Sequence, residues 1–215
     1  MPGTFATTPE SYGMFYQWNR NVGWSATEFI NSNGGTTWNN SMPTGTKWEK
    51  SNDPSPSGWR LPTREEQLTL LDTDKVEYEW TTENGINGGR FTDKLNGNSL
   101  FLPAAGNRYY IDGVQYDVVG SLGNYWSSIL NESNEAYAYA LYFVTYASAG
   151  SNGLMSGFSV RCVKDDSETS VTSTIANESA VLGYYSIMGQ PLLQEPASGI
   201  YIIMYDNGET KKVMR

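Results

Sequence analysis

The 215 residues suit one domain, or one domain with a small appendage, in which seven Trp and fifteen Tyr offset an apolar content of only 39%. A net charge of −9 repels phosphate backbones, which excludes nucleic acid as a partner and leaves no basic cluster for anionic lipid. With no His and one Cys, the chain cannot build a zinc enzyme site, a Ser–His or Cys–His nucleophile pair, or an internal disulfide.

Residues 1–60 are rich in Trp, Asn, Gly and Pro. Within them, Trp24-Ser25-Ala26-Thr27-Glu28-Phe29 predicts a helix start: Ser25 and Glu28 form a capping box, with Trp24 and Phe29 at the staple positions. The segments Asn31–Thr37 and Asp53–Ser57 read as loops. A second helix opens after Gly58-Trp59-Arg60-Leu61-Pro62, where Thr63 and Glu66 make another capping box. It should end near Asp72, with Leu68 and Leu71 on one face. From Phe91 onward the pattern becomes short strands, and Asn96-Gly97 and Asp112-Gly113 are hairpin signals. Tyr125–Ile129, Ala136–Tyr146 and Phe158–Lys164 are predicted strands. The second carries Tyr137, Tyr139, Leu141 and Phe143 on one face and Ala138, Ala140, Tyr142 and Val144 on the other, which predicts burial on both sides.

Residues 166–178 have linker composition, so the chain divides into a domain at 1–165, a linker, and a small β tail at 179–215. Tail strands are expected at Val181–Ile187, Ile200–Tyr205 and Lys211–Met214, with a hairpin at Asn207-Gly208. No apolar run approaches the roughly 18 residues of a membrane span. The Met-Pro-Gly start shows no leader peptide.

Four motifs occur in order: Gly58-Trp59-Arg60-Leu61-Pro62-Thr63, Leu100-Phe101-Leu102-Pro103-Ala104-Ala105-Gly106, Tyr125-Trp126-Ser127-Ser128, and Gly157-Phe158-Ser159-Val160-Arg161-Cys162-Val163. Together they resemble the Fibrobacter succinogenes major paralogous domain, a family of bacterial surface proteins, over about residues 5–165. Asn107, where an aromatic is expected, and the single Gly123 depart from its pattern. The resemblance implies an α+β, C-type-lectin-like fold with two helices flanking a twisted antiparallel sheet and long loops on one side. It also implies a secreted or cell-surface adhesion module. The tail is similar to the sorting domains of type IX secretion in Bacteroidetes, which again points to export.

Several constellations could carry chemistry. Ser127 and Ser128 lack a His base, so Trp126 reads as a core aromatic. The carboxylates Asp72, Asp74, Glu77, Glu79, Asp112, Asp117, Glu132 and Glu135 read as surface charge, although a glycosidase could draw a pair from them. No Glu-Pro-Asn, Gln-Pro-Asp or Trp-Asn-Asp triplet for calcium-dependent sugar binding is present; structural calcium is the one ion the composition leaves open, and no other cofactor is expected. Cys162 reads as a small buried thiol; the Cys pair of formylglycine-generating enzymes is missing. Recognition is therefore expected on loops: Tyr109 and Tyr110 before one hairpin, Asn131, Glu132 and Asn134 after the Trp126 strand, and Tyr146 to Asn152 between the last strands. Aromatics beside amides suit a glycan or a surface protein as the partner. The alternatives are a carboxylate-pair hydrolase and a surface-assembly subunit.

Overall fold

In the computed structural model, the structure describes residues 1–115, 118–165, 181–186, 190–192, 194–197, 200–205 and 210–214. The chain forms two units, Met1–Asp165 and Asp166–Arg215. In the first, β1 (Met14–Tyr16) pairs with β2 (Gly23–Ser25), and β3 (Trp59–Arg60) precedes α1 (Arg64–Thr69). A meander follows: β4 (Val76–Glu83), β5 (Ile86–Asp93) and β6 (Ser99–Pro103). A second three-stranded antiparallel sheet comprises β7 (Gly123–Leu130), β8 (Tyr137–Phe143) and β9 (Ala147–Gly153). Then β10 (Val163–Lys164) returns to pair with β3. The second unit is an antiparallel sheet of β11 (Val181–Ser186), β12 (Pro191–Leu192), β13 (Ile200–Tyr205) and β14 (Thr210–Met214), in the order β12-β11-β13-β14. The predicted linker and the Asn207-Gly208 hairpin lie outside the described residues. Among the described residues no helix is long and apolar enough to cross a membrane.

The expected α+β, C-type-lectin-like arrangement of two helices flanking one sheet is not what forms. The described residues are almost entirely β, with several small sheets, one six-residue α-helix and one 3-10 turn at Lys50–Asn52. The Trp24–Phe29 segment shows why. Ser25 Oγ accepts from the Thr27 and Glu28 N–H groups, as a cap would. However, the Ser25 N–H, which the box reserves for Glu28, donates to Ile30 O at 3.0 Å instead. The carbonyls of Ser25 and Glu28 accept from the Arg108 guanidinium, so they are not available for helical hydrogen bonds. The staple contact survives without the helix: Trp24 and Phe29 rings stack at 5.1 Å. Tertiary contacts override a local helix signal here.

The second capping box forms as read, Thr63 accepting from Glu66 N–H and Glu66 returning the bond. Six residues suffice because the helix is anchored rather than self-supporting. Leu70 and Leu71, beyond its last turn, pack on the core, and the buried helical residue is Gln67, whose Nε2 donates to Tyr125 O and Trp126 O at 3.0 Å each.

The alternation of β8 explains how one sheet serves two cores. Leu141 and Phe143 join Phe91, Leu102 and Tyr125 on the face covered by the β4–β6 sheet. Ala138 and Ala140 face the other way, with Trp126, Trp18, Trp48 and Phe158. The strand is thus buried on both sides along most of its length, although Tyr137 at its start is exposed. A third cluster, Phe15, Trp24, Trp38 and Ala105, packs behind β1.

Candidate functional site

A polar concavity is built by residues 17–52. After β1, Asn19 adopts the left-handed region at φ 52°. Its side chain ties three segments together: Oδ1 accepts from Glu49 N–H (2.8 Å) and Asn52 Nδ2 (3.2 Å), and Nδ2 donates to Thr44 O (2.7 Å). Gln17, 2% exposed, donates from Nε2 to Asn39 O and Met155 O. Asn31 Oδ1 accepts from the N–H groups of Asn33 and Gly35, closing the loop beside β2. These bonds hold the walls of a cleft of about 540 Å³.

The cleft wall carries six asparagines (Asn19, Asn21, Asn31, Asn33, Asn39 and Asn52), Gln17, Thr37, Ser41 and Thr44, over an apolar base that includes Trp24. No aspartate or glutamate is on it. Arg20 Nη2 donates to Ser41 O and Oγ at 2.8 Å, while Arg20 Nε is buried with no hydrogen-bond partner. Burial lowers the Arg20 pKa. Amides are uncharged and offer both donor and acceptor, so such a wall matches a ligand dense in hydroxyls. Sequence reasoning noted the Asn-rich composition of this region but placed the site elsewhere. The missed signal was the density of amides in residues 17–52, which only folding gathers onto one surface.

The loop residues named from sequence fall in three places. Tyr109 and Tyr110 lie in the Asp112-Gly113 hairpin, their rings edge-to-face at 4.5 Å, and Tyr110 O accepts from Trp38 Nε1. Asn131, Glu132 and Asn134 form the β7–β8 turn. There Asn131 Nδ2 donates to Ser151 Oγ at 2.9 Å, and the Asn134 side chain accepts from Ala136 N–H. Asn152 stands opposite Ala138 at the same end and accepts from Ser156 Oγ. Tyr146 is 66% exposed in the β8–β9 turn, at the far end of β8, some seven residues or about 20 Å away. The expected loop from Tyr146 to Asn152 is mostly strand β9, because each of its residues from Ala147 pairs with β8.

Three of the candidate carboxylates, Asp72, Glu79 and Asp112, have structural partners. Asp72 pairs with Lys75, and Glu79 and Glu83 with Arg90. Asp112 caps its own turn by accepting from Val114 N–H, and Asp74 N–H donates to Asp72. Glu77, Glu132 and Glu135 are exposed, and Asp117 lies outside the described residues. Among the described residues no three His, Cys, Asp or Glu side chains are grouped to hold a metal. Cys162 is half-buried rather than buried, and burial pushes its thiol pKa up.

The four ordered motifs turn out to be scaffold. Gly58 sits at φ 77° and its carbonyl accepts from Asp165 N–H; Arg60 grips Glu66 with two 2.7 Å bonds. Ala104 and Ala105 are fully buried ahead of Gly106 at φ 76°. Trp126, also fully buried, stacks on Phe158 at 4.3 Å and donates to Tyr16 O, and Ser127 is buried beside it. Gly123 itself is sterically required, since a Cβ there would lie 1.9 Å from the Phe143 ring. No curated protein and no solved structure matches the chain. A family model does, described as the Lcl C-terminal domain, across residues 14–164, a span that contains all four motifs. The first unit is built on those motif residues, and the chain belongs to the Lcl C-terminal domain family.

Proposed function

We propose that the first unit is a non-catalytic binding module that holds a neutral glycan in the amide-lined cleft. The carrying observation is a preformed cleft of about 540 Å³ whose polar wall is amides and hydroxyls with the single cation Arg20, tied to Ser41, and no carboxylate. Hydrolysis by a carboxylate pair would need two acids facing a shared space, and the wall supplies none. The net charge of −9 disfavours sulfated or phosphorylated ligands at long range. The rigid bonds of Asn19, Gln17, Asn31 and Asn39 pre-organise the wall, leaving Asn33 and Thr37 exposed to meet a ligand. Work outside the cell or at its surface is part of the same proposal. It is supported by the similarity of the tail to sorting domains and by the likeness to paralogous surface domains.

The test is a glycan array of neutral and sulfated sugars, with and without a calcium chelator, followed by titration of the best neutral binder. The Asn33→Ala/Thr37→Ala double variant should bind about tenfold more weakly, the loss of one or two net hydrogen bonds, with stability unchanged. Binding confined to sulfated sugars, or unaltered in the double variant, would sink the reading.

A second reading has its own observation. The tip of the 109–114 hairpin exposes Tyr110 (41%), Ile111 (51%) and Val114 (57%), an apolar cluster that suits a protein partner. Replacing Tyr110 and Ile111 with Ser separates the two, since it should leave glycan binding intact.

A further inference from the structure

A second cavity, of about 630 Å³, lies between the N-terminal arm, the β3–β10 ribbon and the end of β6. Its walls are largely apolar: Phe5 packs edge-on against Trp59 at 5.1 Å, with Leu102 and Val160 nearby on the lining. The arm is fastened on both sides of the space, by Gly3 N–H donating to Pro54 O (2.8 Å) and by Asn84 Nδ2 donating to Glu10 Oε1 (2.7 Å). The volume falls within the range of small-molecule sites.

Two hydroxyls of the lining residues are buried without a hydrogen-bond partner. Ser159 is 3% exposed, and its Oγ has no hydrogen-bond partner. The adjacent Tyr125 phenol commits its proton to Pro103 O at 2.9 Å. Ser159 lies near enough to draw the Tyr125 pKa slightly down, against the burial that raises it, yet outside hydrogen-bond geometry. Ser55 Oγ, beside the Cys162 thiol, is a second buried hydroxyl without a partner. Buried hydroxyls are ordinarily satisfied, so these two oxygens, which solvent does not reach, mark a loosely matched layer behind the cavity wall.

The charge is equally one-sided. The only charged side chains on the lining are Arg161 and Lys164, both cationic, in a protein of net charge −9. Arg161 is exposed, pairs with no carboxylate among the described residues, and lies close enough to act on both the Tyr125 phenol and the Cys162 thiol. We propose that this cavity binds a small amphipathic carboxylate, its aliphatic or aryl body against Phe5, Trp59, Leu102 and Val160 and its acid group at Arg161. The inference is independent of the glycan cleft, with which the lining shares no residue.

The experiment titrates the full chain with decanoate, 3-phenylpropionate and decanol, read by tryptophan fluorescence and by the alkylation rate of Cys162. As the sole cysteine, on the cavity wall, Cys162 reports occupancy directly. At least one carboxylate should bind saturably and slow alkylation, the tighter of the two identifying the body as chain or ring. Arg161→Gln, at an exposed position, should weaken the carboxylate about tenfold, leave decanol unchanged and keep the near-UV circular dichroism of the wild type. The proposal is overturned if neither carboxylate binds or protects Cys162, if decanol binds as tightly as decanoate, or if Arg161→Gln binds the acid as the wild type does.

Discussion

Replacing Arg108 with Met should cost the first unit about 4 kcal/mol, more than its single position suggests. Arg108 is 2% exposed and faces no carboxylate; every bond it makes goes to a backbone carbonyl. Nη1 donates to Gly113 O at 2.7 Å, Nε and Nη2 both reach Ser25 O, and Nη2 also reaches Glu28 O. The guanidinium lies 5.5 Å from the Phe29 ring centre and about as near those of Phe15 and Trp24. Burial without a counter-ion lowers its pKa, and the carbonyls offset that penalty. Met restores the apolar volume but orphans three carbonyls, each worth about 1–3 kcal/mol when left buried. Water can reach those of the half-exposed 25–28 loop, and removing a buried charge returns some stability, which places the sum near the middle of the range. For a unit of this size that lowers Tm by about 8–16 °C. Arg108→Lys should recover less than half, because one ammonium cannot span three acceptors set for a planar fork. Urea unfolding followed by tryptophan fluorescence measures both, with Trp24 and Trp38 reporting the region directly. A loss of less than about 0.5 kcal/mol for Arg108→Met would refute the view that this side chain holds the 25–30 segment out of a helix.

Gly123→Ala should destabilise by about 1–3 kcal/mol or more, because its Cβ would meet the Phe143 ring at 1.9 Å, whereas Gly153→Ala, with nothing within 4 Å, should be neutral or slightly stabilising; denaturant midpoints decide. Gln67→Met should cost about 1–3 kcal/mol by leaving the Tyr125 and Trp126 carbonyls unpaired, seen as a shifted urea midpoint at unchanged m-value. Hydrogen bonding from Arg60 holds the Glu66 carboxyl below its ordinary 4.5. A folded-state pKa below the unfolded one stabilises above pH 4.5, and that contribution fades as the pH falls through the folded value. Stability measured between about pH 5 and 3 should therefore decline less steeply in Glu66→Gln than in the wild type.

The readings that succeeded rest on rules acting over a few residues. The Thr63–Glu66 box closed as written because both partners lie within one turn. The two faces of β8 were legible because alternation needs no knowledge of the partner strand. The Asn84-Gly85 turn, with φ of 47° and 83°, joins β4 and β5 and carries the same signal as the three hairpins read from the sequence, though it is not among them. The 25–30 segment misled for the opposite reason: its local signal was sound, and Arg108, 80 residues away, took the carbonyls a helix needed. Strand β9, Ala-Ser-Ala-Gly-Ser-Asn-Gly, has weak strand propensity and exists because β8 offers it a full register of partners.

The site divides along the same line. Composition alone decided that this chain has no imidazole to use and is rich in amides and aromatics, since a chain cannot use residues it lacks. Only the tertiary structure decided which amides share a surface. Asn19, Asn39 and Asn52 are brought to one cleft by hydrogen bonds between separate loops. Tyr146 and Asn131, equally attractive on paper, were set at opposite ends of a strand. Sequence separation carries no information about distance once loops close, and loop closure here is set by long-range partners.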